Sequence, residues 1–201
     1  MEKSILIIGV PRSGTTSFLH CFYDNFEIYN EPIGFKKALS LRKDYTTKRF
    51  MTMIKRNNIV VKTMADQIPF DYPENPICCV NSSWMTFFSE IIPFFDITIL
   101  LDRKDVKSQL ESYIRMVNQK INNPDVLKGA IKHFYLNKFN IREISEQYNL
   151  PIFYYEDIFY GDSEDIFKKL DIPLDWVNLE YLDKKHKYQG NIHFQRPKTI
   201  L

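Results

Sequence analysis

The sequence predicts an α/β domain with a mainly parallel sheet, and three observations carry that expectation. Short continuous apolar runs, Ile5-Leu6-Ile7-Ile8, Ile59-Val60-Val61 and Ile97-Thr98-Ile99-Leu100-Leu101, have the composition of strands covered on both faces. The first run passes through a tight turn into Phe18, Leu19, Phe22 and Phe26, and the third into Val106, Leu110, Tyr113, Ile114 and Val117, both at helical spacing. Between the first strand and its helix, Gly9 and Gly14 match the glycines of the phosphate-loop pattern G-x-x-x-x-G-K-S/T.

That loop organises the chain. Strand, turn and helix bring successive backbone N–H groups to one point, which attracts an anion. The lysine position of the pattern holds Thr15, which argues against ordinary ATP or GTP chemistry, because the lysine reaches the outer phosphates. Arg12 supplies a cation from inside the loop, and Thr15 and Thr16 supply hydroxyl donors. The bland alternative is a strand-turn-helix with incidental glycine spacing.

A second strand at Phe26-Glu27-Ile28-Tyr29 ends at Asn30-Glu31-Pro32. A carboxylate at the C-terminal end of a strand beside the loop lies where open α/β sheets bind ligands, so Glu31 is a candidate general base, against the alternative of a solvated loop glutamate. From Gly34 to Asn57 the chain is polar and basic and reads mostly as a solvated helical face. The strand Ile59 to Thr63 carries Lys62 to the same edge, where it can neutralise charge that develops during group transfer.

Pro76 to Val80 is expected to be a core strand holding Cys78 and Cys79, and Asn81-Ser82-Ser83-Trp84 to open a helix. The strand at 97–101 delivers Asp102 and Arg103 to the ligand edge. Asp102 at this place also fits the magnesium-holding aspartate of a phosphate-loop kinase, so that reading stays open. Pro124 to Tyr148 reads as one long helix or two, with Val126, Leu127, Ile131, Phe134, Tyr135, Phe139, Ile141 and Ile144 as a core stripe. Ile152 to Asp157 is expected to be the last strand, followed by short helices at Ser163–Leu170 and Leu174–Leu182 and a basic, aromatic tail from Lys184 to Leu201.

Composition sets bounds. With 201 residues the chain is expected to form a single domain, 1–201, without repeats or linkers. Lys+Arg 27 against Asp+Glu 25 leaves a net charge of +2, no electrostatic case for nucleic acid. Three cysteines, two of them adjacent, suggest reduced thiols, and the four histidines show no metal-ligand spacing with them, so no metal is expected. His20 is expected to pack on the first helix. Three residues ahead of the first strand leave no room for a signal peptide, and the apolar run Ile91 to Leu101 is too short to span a bilayer, so a cytoplasmic location is expected.

The form Pro11-Arg12-Ser13-Gly14-Thr15-Thr16 after the first strand resembles the 5′-phosphosulfate loop of sulfotransferases that use 3′-phosphoadenosine 5′-phosphosulfate (PAPS). Val61-Lys62-Thr63 resembles the K-T-H element of the cytosolic branch, whose histidine is the base; here Met64 stands in that place and cannot accept a proton. The departure points toward the glutamate-base branches, and so to Glu31. Arg103, Gln109 and Ser112 resemble the arginine and helical serine that bind the 3′-phosphate, with Lys104 as an inserted residue and Ser108 as the alternative serine. Tyr155-Glu156-Asp157-Ile158 resembles the late Y-E-D-L element, which is mainly structural.

The resemblance implies a three-layer α/β/α domain with about five strands, related to phosphate-loop nucleotide kinases. It implies sulfuryl transfer from PAPS to a hydroxyl or amine acceptor on a small molecule, glycan or peptide, leaving adenosine 3′,5′-bisphosphate. Glu31, Lys62 and Arg12 would act in catalysis, and Pro11, Arg12, Ser13, Gly14, Thr15, Thr16, Arg103 and Ser112 would bind the cofactor. The tail would close over it with Lys187, Gly190, Arg196 or Lys198. The rivals are a small magnesium-dependent phosphate-loop kinase and a nucleotide-binding protein without catalysis.

Overall fold

A computed structural model describes residues 3–32, 47–67, 83–118 and 123–182. Five strands, β1 (Ser4–Gly9), β2 (Glu27–Asn30), β3 (Ile59–Met64), β4 (Ile97–Asp102) and β5 (Ile152–Tyr154), form one sheet in the order β2-β3-β1-β4-β5. Every pairing is parallel, which fits continuous apolar runs rather than alternating ones. The helices are α1 (Thr15–His20), α2 (Thr47–Met53), α3 (Ser83–Ile91), α4 (Val106–Asn118), α5 (Pro124–Tyr148), α6 (Tyr155–Tyr160) and α7 (Ser163–Lys169).

Side chains of β1 alternate between two cores. Leu6 and Ile8, with Val61 and Leu100, pack against Phe50 of α2, Phe87 and Phe88 of α3, and Phe134, Ile141 and Ile144 of α5. Ile5 and Ile7, with Val60, Ile99 and Leu101, pack against Phe18 and Leu19 of α1, Ile158 of α6, and Ile166 and Phe167 of α7. The molecule is therefore the three-layer α/β/α arrangement expected, with the sheet sealed on both faces. Because β1 leads toward β2 while β4 leads toward β5, their connections diverge at the C-terminal ends of these central strands, the place where open α/β sheets bind ligands.

Several elements differ from the expectation. α1 stops at His20; Cys21, Phe22 and Tyr23 instead close tight turns back to the carbonyls of Phe18, Leu19 and His20, so Phe22 and Phe26 reach the core from turns. The last strand ends at Tyr154, and Glu156 and Asp157 belong to the first turn of α6. Pro124 to Tyr148 is one unbroken helix, started by the Asn123 side chain on the Asp125 amide and closed by left-handed Asn149. Its stripe is core at Phe134, Ile141 and Ile144, but Val126, Tyr135 and Phe139 are exposed, the two rings by 52% and 56%, which corrects the assignment of these three side chains to the core. α2 keeps Lys48 and Arg49 in solvent while Phe50 enters the core. Two 3₁₀ turns, Leu174–Trp176 and Leu179–Leu182, stand where one short helix was expected.

Among the described residues no helix is long and apolar enough to cross a membrane. The expected strand at Pro76–Val80 with Cys78 and Cys79, and the tail residues Lys187, Gly190, Arg196 and Lys198, lie outside the described residues.

Candidate functional site

The loop between β1 and α1 has a fixed backbone. Gly9 has no room for a side chain, since a Cβ there would overlap the methyl group of Thr15. Arg12 and Gly14 both take left-handed conformations, φ 67° and 75°. Such alternation curls a chain so that its amides converge, and it is strained at the non-glycine residue. The Ser13 amide and hydroxyl both donate to the Val10 carbonyl, at 3.3 and 2.7 Å, so this hydroxyl braces the loop from within. Thr15 is buried beside it, Thr16 is half-buried, and Arg12 is exposed.

Two helices fasten the loop from outside. Arg12 Nε donates to Ser112 Oγ of α4 at 3.0 Å, which brings together two of the residues singled out in the sequence. Ser108, the alternative, is engaged at the start of α4, donating its hydroxyl and its amide to the Asp105 carboxylate at 2.6 and 3.0 Å. Buried Gln109 donates to the Pro11 carbonyl at 2.9 Å.

Arg103, just past β4, turns toward α6. Its Nε lies 3.4 Å from Glu156 Oε1 and its guanidinium 4.9 Å from the centre of the Tyr155 ring. Tyr155 stacks on Phe159, and the two rings close on the loop: a Cβ on Gly14 would lie 2.5 Å from Phe159 and 2.8 Å from Tyr155. Burial alone would raise the Glu156 carboxyl, but hydrogen bonds from the Lys104 and Asp105 amides, together with Arg103, hold it below the ordinary glutamate range. Glu156 thus anchors Arg103 and the approach to α4.

The second group of residues sits at the ends of β2 and β3. Glu31 follows β2 in a left-handed conformation, φ 50°, with its amide on the Lys62 carbonyl at 2.8 Å. Lys62 is 1% exposed, and its ammonium donates to Glu31 Oε1 and, at 3.3 Å, to Asn30 Oδ1. The other Glu31 oxygen accepts from Gln67 Nε2 at 3.1 Å, while Gln67 Oε1 accepts from the Thr63 hydroxyl and the Met64 amide. Burial lowers the pKa of Lys62, and the Glu31 charge works in the opposite direction. Burial, and then the charge of Lys62, lower that of His20 on α1, whose ring meets Tyr181 edge-on at 6.0 Å.

Lys62 therefore approaches Glu31 from beneath the surface, and the carboxylate, with a side chain 34% exposed, is the group that meets solvent. The register places this cluster beside the loop: Lys62 pairs with Ile7 and Met64 with Gly9, and the Ala65 amide donates to the Gly9 carbonyl. Asn30 and Gln67 were not visible in the sequence. Gln67 belongs to no pattern, and its role follows from the turn Ala65–Asp66, which returns its side chain over the end of β3.

That turn is tied to α5. Asn140 Nδ2 donates to the Ala65 carbonyl at 2.8 Å, and His133 Nδ1 lies 3.5 Å from Asp66 Oδ2. The hydrogen bond to Asp66 outweighs burial and raises His133 above its ordinary value of 6.5. A raised folded-state pKa gives stabilisation that is full below the ordinary histidine pKa and is lost as pH rises through the folded value. His133→Ala is accordingly expected to lower Tm more near pH 5 than near pH 9, measured by thermal unfolding of both proteins across that range; an equal loss at both ends would show that the histidine charge contributes nothing.

Asp102, at the end of β4, is 3% exposed and its carboxylate is taken by Lys138 of α5, with Nζ 2.7 Å from Oδ1 and 2.9 Å from Oδ2. A lysine ammonium thus stands where a kinase-type aspartate would hold magnesium. A scan against protein-family models and a search of the curated proteins gave no match to this chain.

Proposed function

We propose that the protein transfers a sulfuryl group from PAPS to a hydroxyl or amine of a small-molecule, glycan or peptide acceptor. The observation that carries this reading is Glu31, a part-exposed carboxylate fixed by Lys62 and Gln67 at the sheet edge beside a phosphate-type loop. A general base must be held in one place, and a buried ammonium with an amide donor holds it there.

The rest of this edge fits the donor nucleotide. The loop amides and the exposed guanidinium of Arg12 suit a 5′-phosphate, with Ser112 at hydrogen-bonding distance from that guanidinium. Arg103 is held at Nε by Glu156, 3.4 Å away, and its side chain is 21% exposed, so the remaining guanidinium N–H groups are the donors for the 3′-phosphate. In the transfer, Glu31 accepts the acceptor's proton as the acceptor atom bonds to sulfur. The bond from sulfur to the bridging oxygen breaks, and its electron pair leaves with the 5′-phosphate of adenosine 3′,5′-bisphosphate, where Arg12 and the loop amides balance the charge. Lys62 holds Glu31 close to the reacting atoms. The strand order and the central position of the loop accord with a phosphate-loop relationship, and the cytoplasmic location is carried over from the sequence reading as part of the proposal.

The magnesium-dependent kinase is the rival, and the Lys138–Asp102 pair speaks against it. Calorimetric titration separates the two. Adenosine 3′,5′-bisphosphate is expected to bind tightly without regard to magnesium, and Arg103→Ala to weaken it about 10–100-fold, the loss of a charged hydrogen bond. Preference for ATP with magnesium would overturn the reading.

A further inference from the structure

Lys138 is a buried charge that the proposed chemistry does not use, 6% exposed on a helix whose neighbouring turns carry the core residues Phe134 and Ile141. Its ammonium has three protons and three close acceptors: both oxygens of Asp102, at 2.7 and 2.9 Å, and the backbone carbonyl of Arg103, at 2.9 Å. The network continues from Asp102. Gln109 Nε2 lies 3.4 Å from Asp102 Oδ1 and 2.9 Å from the Pro11 carbonyl of the phosphate-type loop, and Gln109 is fully buried. Next to this bridge, the Val10 amide donates to the Leu101 carbonyl at 3.1 Å, so β4 and the start of the loop are joined at both levels.

We propose that Lys138 is a positioning residue: an internal cation that takes the place of a divalent metal at Asp102 and, through Gln109 and the Arg103 carbonyl, holds the phosphate loop and Arg103 in register. The physical reason lies in what each cation demands. A magnesium ion at a carboxylate keeps several waters and recruits phosphate oxygens, so the arrangement is complete when nucleotide is present. An ammonium on a packed helix fills its coordination with Asp102 and Arg103 alone, and a buried carboxylate without a counter-charge would be heavily penalised. The loop and Arg103 are thereby set before any anion arrives, and anion binding gains nothing from a divalent ion. This role extends the proposed phosphate site to its support; its test reads metal uptake and backbone opening, so its failure is distinguishable from failure of the sulfuryl-transfer reading.

The test compares wild type, Asp102→Asn, Lys138→Met and the double variant, titrated with Mn²⁺ and followed by the free-ion electron paramagnetic resonance signal. Lys138→Met, which keeps the carboxylate and removes the ammonium, is expected to take up Mn²⁺ at least about tenfold more tightly than wild type, and the double variant to lose that gain. If Lys138→Met unfolds without metal, its melting with and without Mn²⁺ reads the same site: rescue supports the assignment and absence of rescue overturns it. Wild-type protein that binds Mn²⁺ in a way abolished by Asp102→Asn also overturns it, because the metal would then displace Lys138. For positioning, the double variant leaves no lone buried charge, and exchange of the Val10 and Ser13 amides, which are bonded to the Leu101 and Val10 carbonyls, is expected to accelerate about tenfold or more while β1 and β3 keep their protection. Unchanged exchange in the loop would remove the positioning role.

Discussion

Glu31→Gln is expected to lower kcat for sulfuryl transfer by about 10²–10⁴-fold, the range for loss of a positioned general base. The substitution keeps the shape of the side chain and takes away its ability to accept the acceptor's proton. Affinity for adenosine 3′,5′-bisphosphate is expected to stay near that of wild type, since Arg12 is held by Ser112 and Arg103 by Glu156. The low-pH limb of the rate profile, where the carboxylate takes up its proton, should disappear with it. One local cost accompanies the change: Lys62, 1% exposed, loses its counter-charge, so burial depresses its pKa further. Steady-state rates beside a bisphosphate titration check the prediction. Full turnover in the variant would remove Glu31 as the base, whereas loss of rate together with loss of bisphosphate binding would point to a collapsed site.

The framework was legible in the sequence because parallel strands sealed on both faces must be apolar throughout. Ile5–Ile8, Ile59–Val61 and Ile97–Leu101 could be read as strands, and the glycine spacing placed the loop. The ends of elements were less legible. The run from Ile152 to Asp157 reads as strand to its end, yet the chain turns helical at Tyr155, where Glu156 meets the amides of Lys104 and Asp105 from about fifty residues away in sequence. α1 was read too long because Phe22 and Phe26 lie at helical spacing yet enter the core from tight turns.

The site divides in the same way. Glu31, Lys62 and Arg103 sit at or next to strand ends, the edge where open α/β sheets place their ligands. Gln67 and Lys138 had no such signal. Lys138 lies in a stretch rich in polar residues, and its partner Asp102 is 36 residues earlier; only the docking of α5 on the sheet turns the lysine inward. The sequence therefore favoured residues at strand ends and passed over Gln67 and Lys138, which hold Glu31 and Asp102 from a turn and a helix.

Phe18→Ala is expected to cost about 3–5 kcal/mol of stability, the range for emptying a buried aromatic site. Phe18 is fully buried, stacked on Phe167 of α7 with ring centres 5.2 Å apart and set edge-on to Phe22 at 5.8 Å. The helix that carries it cannot compensate. α1 has six residues, no side-chain cap and no acidic residue in its first turn, and a helix so short has little stability outside tertiary contacts. For a domain of this size each kcal/mol moves Tm by about 2–4 °C, so the expected drop is roughly 6–20 °C. The loss should extend to the loop, because the Phe18 amide closes the first helical turn on the Gly14 carbonyl at 3.0 Å, and Gly14 is itself held under Phe159 and Tyr155. Thermal unfolding paired with bisphosphate titration reads both effects. A variant that melts within about 2 °C of the parent would show that α1 is held by something other than this ring stack, since less than about 1 kcal/mol would then separate the two proteins.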